Sequence, residues 1–258
     1  MTRRSLALVL FLVALCWAPA AFGQTEVPVA DVTAEAGADE GTPMTSAVEI
    51  AVLLTVLSLL PAILITLTSF TRIVIVLSFV RRSLAVNELP PNPIIIGLSL
   101  FLTTFVMAPV FQRMYETAYV PYQAGDVDME GAAGEAWGEL RGFLIANTRE
   151  SEIGLFIELS NTEPVYDDDG ALVREELPFR VVVPAFVLSE LKTAFQMGFL
   201  LFLPFLVIDL VVASVLISMG MFMLPPIMIS TPFKILLFVL VDGWHLICQS
   251  LVSSFITT

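Results

Sequence analysis

Several ionisable side chains stand where an apolar sequence has least use for them. The run Ala194 to Met223 carries Asp209 near its middle, with Glu190 and Lys192 just upstream, and the run Pro232 to Ile256 carries Lys234, Asp242 and the chain's one histidine, His245. Apolar runs of about 20 residues cross a ~30 Å hydrocarbon layer as helices. A charge at that depth costs roughly 3 kcal/mol or more, so it faces a protein interior or an aqueous path. Two chemistries fit such carboxylates: structural pairing with a cation on another helix, or proton carriage. A hairpin turning symmetrically between Pro225 and Pro226 would set Asp209 and Asp242 at equal height on opposite arms. Facing carboxylates repel, so one must be protonated or a cation must lie between them. Arg72, set in a third apolar run, is the expected clamp, because a guanidinium can bridge two carboxylates. Lys234 is eight residues from Asp242, about 12 Å along a helix, too far for a direct pair. His245, one turn from Asp242, is expected to hydrogen-bond to it. The expected buried charge network therefore comprises Arg72, Glu190, Lys192, Asp209, Lys234 and Asp242.

Between the two charged runs lies Met219-Gly-Met-Phe-Met-Leu-Pro-Pro226. Methionine is flexible and polarisable and fills irregular gaps. Several copies of such a turn around one axis would close a pore without holding cargo tightly, whereas in a single copy the same residues would simply pack at a hairpin tip.

The elements that position these residues follow from composition. Of 258 residues 57% are hydrophobic and only 14% charged, against about 25% charged in a soluble domain. That describes an all-α integral membrane protein. The net charge of −13 excludes nucleic acid as partner, since phosphate binding calls for clustered Lys and Arg. Two cysteines, Cys16 and Cys248, and one histidine offer no metal-binding spacing, so neither metal nor other cofactor is expected. No nucleophile–base set, HExxH, phosphate loop or dinucleotide fingerprint is present, which argues against an enzyme.

Residues 1–23 read as a secretory signal: Arg3 and Arg4, the apolar run Leu6 to Trp17, then small residues with Ala21 at −3 and Gly23 at −1. Cleavage after Ala20, or an uncleaved first membrane helix, are the alternatives. Residues 24–45 form an acidic tail without apolar period, expected to be disordered outside the membrane. Residues 46–111 hold the first apolar helices. Ser46 to Val80 would extend about 52 Å as one helix, so it is expected to kink at Pro61 or to project from the membrane. Residues 112–183 form an acidic region with fifteen Asp/Glu against five Arg. Within it Glu135 to Ser160 has one apolar face (Trp137, Leu140, Leu144, Ile153, Phe156 and Ile157), and Asp167-Asp-Asp-Gly170 reads as a solvated turn. Residues 184–258 are the charged hairpin. Arg81-Arg82 marks the cytoplasmic side, giving four spans with the acidic region and both mature termini periplasmic.

Two segments carry a family resemblance: Pro184-Ala-Phe-Val-Leu-Ser-Glu-Leu-Lys-Thr-Ala-Phe-Gln-Met-Gly-Phe199 and Pro232-Phe-Lys-Ile-Leu-Leu-Phe-Val-Leu-Val-Asp-Gly-Trp244. Asp209 to Ser214 and Thr71 to Val76 add to it. The chain resembles the flagellar biosynthesis FliP family and its virulence-secretion relatives over most of Ser46 to Phe255. The resemblance implies a core subunit of the type III protein export gate in the bacterial inner membrane, at the flagellar basal body. It implies helical hairpins assembled, in several copies and with FliQ- and FliR-type subunits, into a pore for unfolded flagellar proteins, in contact with FlhA- and FlhB-type proteins. It implies further that much of the hairpin rises above the bilayer, and that Met219, Met221, Phe222 and Met223 form a gasket, although Phe222 interrupts the family's methionine run. The rival reading is an ion-coupled secondary transporter using Asp209 and Asp242; the absence of an internal repeat lowers it.

N-terminal sequencing of the protein recovered from membranes is expected to begin at Gln24. An intact Met1 would overturn the leader and add a fifth apolar segment.

Overall fold

An apolar backbone away from water must satisfy its own N–H and C=O groups, and helices do so locally. The structure, a computed structural model, describes residues 43–84, 90–163, 172–174, 177–221 and 223–256. Every regular element among them is helical. The signal segment, most of the acidic tail, the Asp167–Gly170 turn and Phe222 lie outside the described residues.

Residues up to Leu64 form a unit of their own, whose described part belongs to α1 (Pro43–Thr66). Pro61 sits inside α1 without ending it. The expected break at Pro61 falls instead at Leu67–Ser69, before α2 (Phe70–Ser83). Hydroxyls make that break tolerable: Thr68 Oγ1 donates to the Ile65 carbonyl at 3.3 Å and accepts from the Phe70 N–H at 3.4 Å. Thr71 Oγ1 donates to the same carbonyl at 3.4 Å.

The second unit begins at Ile65. After α2 comes α3 (Asn92–Ala124), 33 residues long, so the apolar helix runs thirteen residues past Phe111. A wide π turn at Tyr115–Tyr119 interrupts its regular winding, just before Pro121, which has no N–H to give the preceding turn. The acidic region then contributes α4 (Met129–Ala146), capped by Asp128, whose carboxylate accepts from the Gly131 N–H at 2.8 Å, and α5 (Glu150–Leu159). The single amphipathic helix expected over Glu135 to Ser160 is thus two. Asn147 and Thr148 turn back onto the carbonyls of Phe143 and Leu144 at 2.9 and 2.6 Å, a competition with the helical ladder that these side chains favour. Its apolar face survives the break: Leu144 and Ile153 are in the core, with Trp137, Leu140, Phe156 and Ile157 against it.

The long axis of the unit is α6 (Phe179–Ser218), 40 residues and so about 60 Å. α2, α4 and α5 pack on it, and α2 also packs on α3. Buried Ile73, Val76, Leu77 and Val80 of α2 meet a core shared with Met107, Val110, Val181, Ala185 and Phe186. α6 ends in a Schellman turn: Gly220 takes φ 73°, its N–H reaches the Ile217 carbonyl, and the Met221 N–H reaches that of Leu216, both at 3.0 Å. The returning arm, expected as one helix from Pro232 to Ile256, breaks at Val241–Asp242 into α7 (Pro226–Leu240) and α8 (Gly243–Ile256), bent by 63°. Asp242 adopts φ 50°, and a Cβ at Gly243 would stand 2.4 Å from the Phe238 ring. Only glycine lets the corner close.

By length and composition α3 and α6 can each cross a membrane, and the bent α7–α8 pair can form a third span. The four spans expected from hydropathy thus reduce, among the described residues, to two continuous helices and one broken pair. α1 carries a shorter apolar stretch, Ile50–Ile63.

Helices of this kind gain little from the hydrophobic effect against lipid and rely on close backbone approach. A Cβ on Gly198 of α6 would lie 2.6 Å from the ring of Phe79 on α2. Gly198→Ala is therefore expected to cost about 1–3 kcal/mol, read as a lower unfolding midpoint in detergent. Adding Phe79→Ala should recover part of the loss; an unchanged midpoint in the single variant would show slack between the helices.

Candidate functional site

The turn of α6 from Ser189 to Gly198 aims a different side chain at each neighbour. Glu190 is fully buried and meets Arg72 of α2: Arg72 Nε donates to Glu190 Oε2 at 2.9 Å, and Nη2 to Oε1. The remaining Nη1 donates to the Ser254 carbonyl at 3.1 Å and its Oγ at 3.0 Å on α8. The guanidinium carbon lies 3.8 Å from the Phe255 ring centroid, a cation–π contact strengthened by burial. Arg72 thus ties three helices together.

One residue upstream, Ser189 Oγ accepts the Arg149 N–H at 3.1 Å and donates to the Asn147 carbonyl at 3.4 Å, fixing the α4–α5 corner. Lys192 Nζ donates to Glu152 Oε1 at 2.9 Å. That bond, helped by Ser151 and by the charge of Arg149, holds the Glu152 carboxyl below its usual range although burial opposes it. Arg149 also reaches Thr193 at 3.1 Å and Gln196. The acidic region is therefore latched to the long helix by polar bonds from four side chains, Ser189, Lys192, Thr193 and Gln196, within about two turns of α6.

A second cluster lies nearer the tip. Lys234 of α7, 2% exposed, donates from Nζ to Asp209 Oδ2 at 2.6 Å, and Ser230 Oγ donates to Asp209 Oδ1 at 2.5 Å. Phe205 and Phe238 lie beside it in a tilted ring contact with centroids 6.4 Å apart.

The expected single network is thus divided. Arg72 pairs with Glu190, Lys192 with Glu152 and Asp209 with Lys234; Arg72 is not brought to Asp209 or Asp242. Asp209 and Asp242 do not face one another, because the hairpin reverses at Gly220, short of the midpoint between Pro225 and Pro226, which brings Lys234 to the height of Asp209. Asp242 is exposed at the α7–α8 corner. Among the described residues no hydrogen bond joins His245 to it; Asp242 instead opens α8, its carbonyl accepting the Leu246 N–H at 3.2 Å. Ser189, Ser230, Ser254 and Glu152 are partners the sequence reading missed. Ser230 alone left a signal, standing four residues before Lys234 and so on its face.

At the tip, Met219 is 68% and Met223 96% exposed, and Met221 is half-exposed. The three side chains project beyond the end of α6 on a fixed turn.

Long apolar helices with charges paired between them define an all-α protein of membrane type, built to bury its bare faces elsewhere. The chain belongs to the FliP family, whose model matches residues 53–251. It is 52% identical over 212 residues to the flagellar biosynthetic protein FliP of Bacillus subtilis, covering 82% of this chain and 93% of that one. Against the FliP of Pectobacterium carotovorum it is 50% identical over 215 residues, covering 83% and 81%. Against that of Caulobacter vibrioides it is 50% identical over 208 residues, covering 81% and 76%.

Asp209→Ala is expected to cost about 3–5 kcal/mol by leaving Lys234 buried without its anion, seen as loss of folded protein recovered in detergent. Asp209→Asn keeps an acceptor and should be milder. Normal recovery of both variants with equal loss of motility would instead favour proton carriage.

Proposed function

We propose that this chain is a core subunit of a flagellar type III protein export gate in the bacterial inner membrane, at the basal body. Several copies assemble with FliQ- and FliR-type subunits, and in contact with FlhA- and FlhB-type proteins, into a channel for unfolded flagellar proteins. The energy for export comes from elsewhere, since the chain performs no enzymatic step of its own. Membership of the FliP family and the relatives' description as flagellar biosynthetic proteins support the reading.

The observation that carries the gate is the tip itself. Met219, Met221 and Met223 stand out from a Schellman turn with little of their own chain to cover them. Exposed thioethers on a rigid stem are adaptable filler: copies ringed around an axis meet there and seal it, then repack around a passing segment. Phe222, the fourth gate residue of this reading, is stiffer filler among them.

Met221→Ala together with Met223→Ala is expected to raise ion or small-solute leakage in cells carrying the assembled complex. The complex itself should still be recovered in detergent, since the tip lies away from the packed core. Phe222→Met should seal at least as well as the native turn. Unchanged impermeability in the double alanine variant would place closure elsewhere.

A further inference from the structure

A cleft and a corner of the chain stand at one level along α6 and carry opposite charges. The cleft, about 260 Å³, is lined by Val74, Ile75, Ser78, Phe79 and Arg82 of α2 and Phe195 of α6. Its α2 strip, residues 74, 75, 78 and 82, lies opposite the buried strip of Ile73, Val76, Leu77 and Val80 at 3.6 residues per turn. The corner is the 63° bend between α7 and α8. Val239, Leu240 and Val241 are exposed there beside Asp242, and α8 packs on α3.

The levels follow from contacts along α6. Phe79 lies against Gly198, so Arg82, three residues on, stands beside about Leu201 at the shared rise of parallel helices. Phe238 lies against Phe205 on the antiparallel arm, so Asp242, four residues on, also stands beside about Leu201. Arg82 and Asp242 are both exposed, and among the described residues neither side chain has an ion-pair or hydrogen-bond partner. Each sits against apolar surface, where an unpaired charge is costly once water is excluded.

The geometry points to a second copy of this chain as the occupant: the apolar α7–α8 corner of one copy seats in the α2–α6 cleft of the next, and Asp242 pairs with the neighbour's Arg82. Cleft and corner are different surfaces, so the contact is head-to-tail and each copy offers one of each. A head-to-tail contact builds a ring when its rotation closes. This rests on the multi-copy gate proposed above and adds which surfaces meet and which charges set their register.

Cysteine cross-linking in membranes carrying the complete complex tests it, with Cys16 and Cys248 replaced by alanine. The doubly substituted chain, Arg82→Cys with Asp242→Cys, is expected to give a ladder of multimers under oxidant. Differently tagged chains each carrying one of the two cysteines should cross-link to one another. Arg82→Glu should lower the recovered assembly by about tenfold or more, because like charges then oppose at the contact, and Asp242→Arg in the same chain should restore it. An intrachain disulfide alone, or no cross-link in assemblies of normal size, overturns the contact while leaving the gate standing. A native chain that is monomeric in mild detergent overturns both.

Discussion

A buried arginine decides how this molecule is put together. Arg72 brings a permanent charge into a place where Glu190 is fully excluded from water, and neither group could stay there alone. The guanidinium answers by filling its fork with the carboxylate, its third nitrogen with Ser254 and its face with Phe255. Those partners lie more than a hundred residues along the chain from Arg72, so the pair makes α2, α6 and α8 depend on one another. Exchanging a buried pair for apolar residues can be neutral in stability, whereas removing one member is severe. What the pair supplies is therefore registry: one relative position of the three helices satisfies it.

The same logic recurs along α6. Where lipid competes equally for apolar side chains, specificity between helices comes from close approach and polar bonds. Gly198 admits Phe79, and Gly243 admits Phe238. Ser189 fixes the α4–α5 corner, Lys192 holds Glu152, and Asp209 holds Lys234 and Ser230. Much of the rest of α6 is left bare, including Phe199, Leu200, Val207, Leu210 and Val211. A long rod fixed precisely at a few polar points and bare elsewhere is suited to an assembly in which neighbours, not the chain itself, complete the core.

The fixed points also explain the tip. The Schellman turn at Gly220 ends α6 without fraying, and the Asp209–Lys234 pair holds the two arms in register just behind it. The methionines thus ride on a stiff support although each is itself soft. In the proposed gate, a seal needs both properties: side chains that adapt and a backbone that does not wander.

How much of this was legible in the sequence depends on the range of the interaction. Composition and apolar runs by themselves determined an all-α membrane-type protein, the charged hairpin, the methionine tip and, through two long motifs, the family. These signals are local: a run of apolar residues or a glycine–proline turn means the same wherever it stands. The identities of the ionisable residues were local too, so Arg72, Glu190, Lys192, Asp209, Lys234 and Asp242 could all be singled out, with no warning that the first five would fall into separate pairs and that Asp242 would stand exposed. Pairing needed heights and faces of packed helices, and a midpoint taken between two prolines misplaced Asp242 because the chain reverses at Gly220, five residues before the first of them. The helix breaks at Leu67–Ser69, Asn147–Arg149 and Asp242 were hidden for a different reason. Each is made tolerable by a hydroxyl, amide or missing Cβ acting on a near neighbour in sequence, and the same residue types also stand in unbroken helices. The sequence by itself determined which charges stand within apolar runs; tertiary structure decided which of them are buried and with whom they pair, because a buried charge accepts any partner of opposite sign and only packing selects the one within reach.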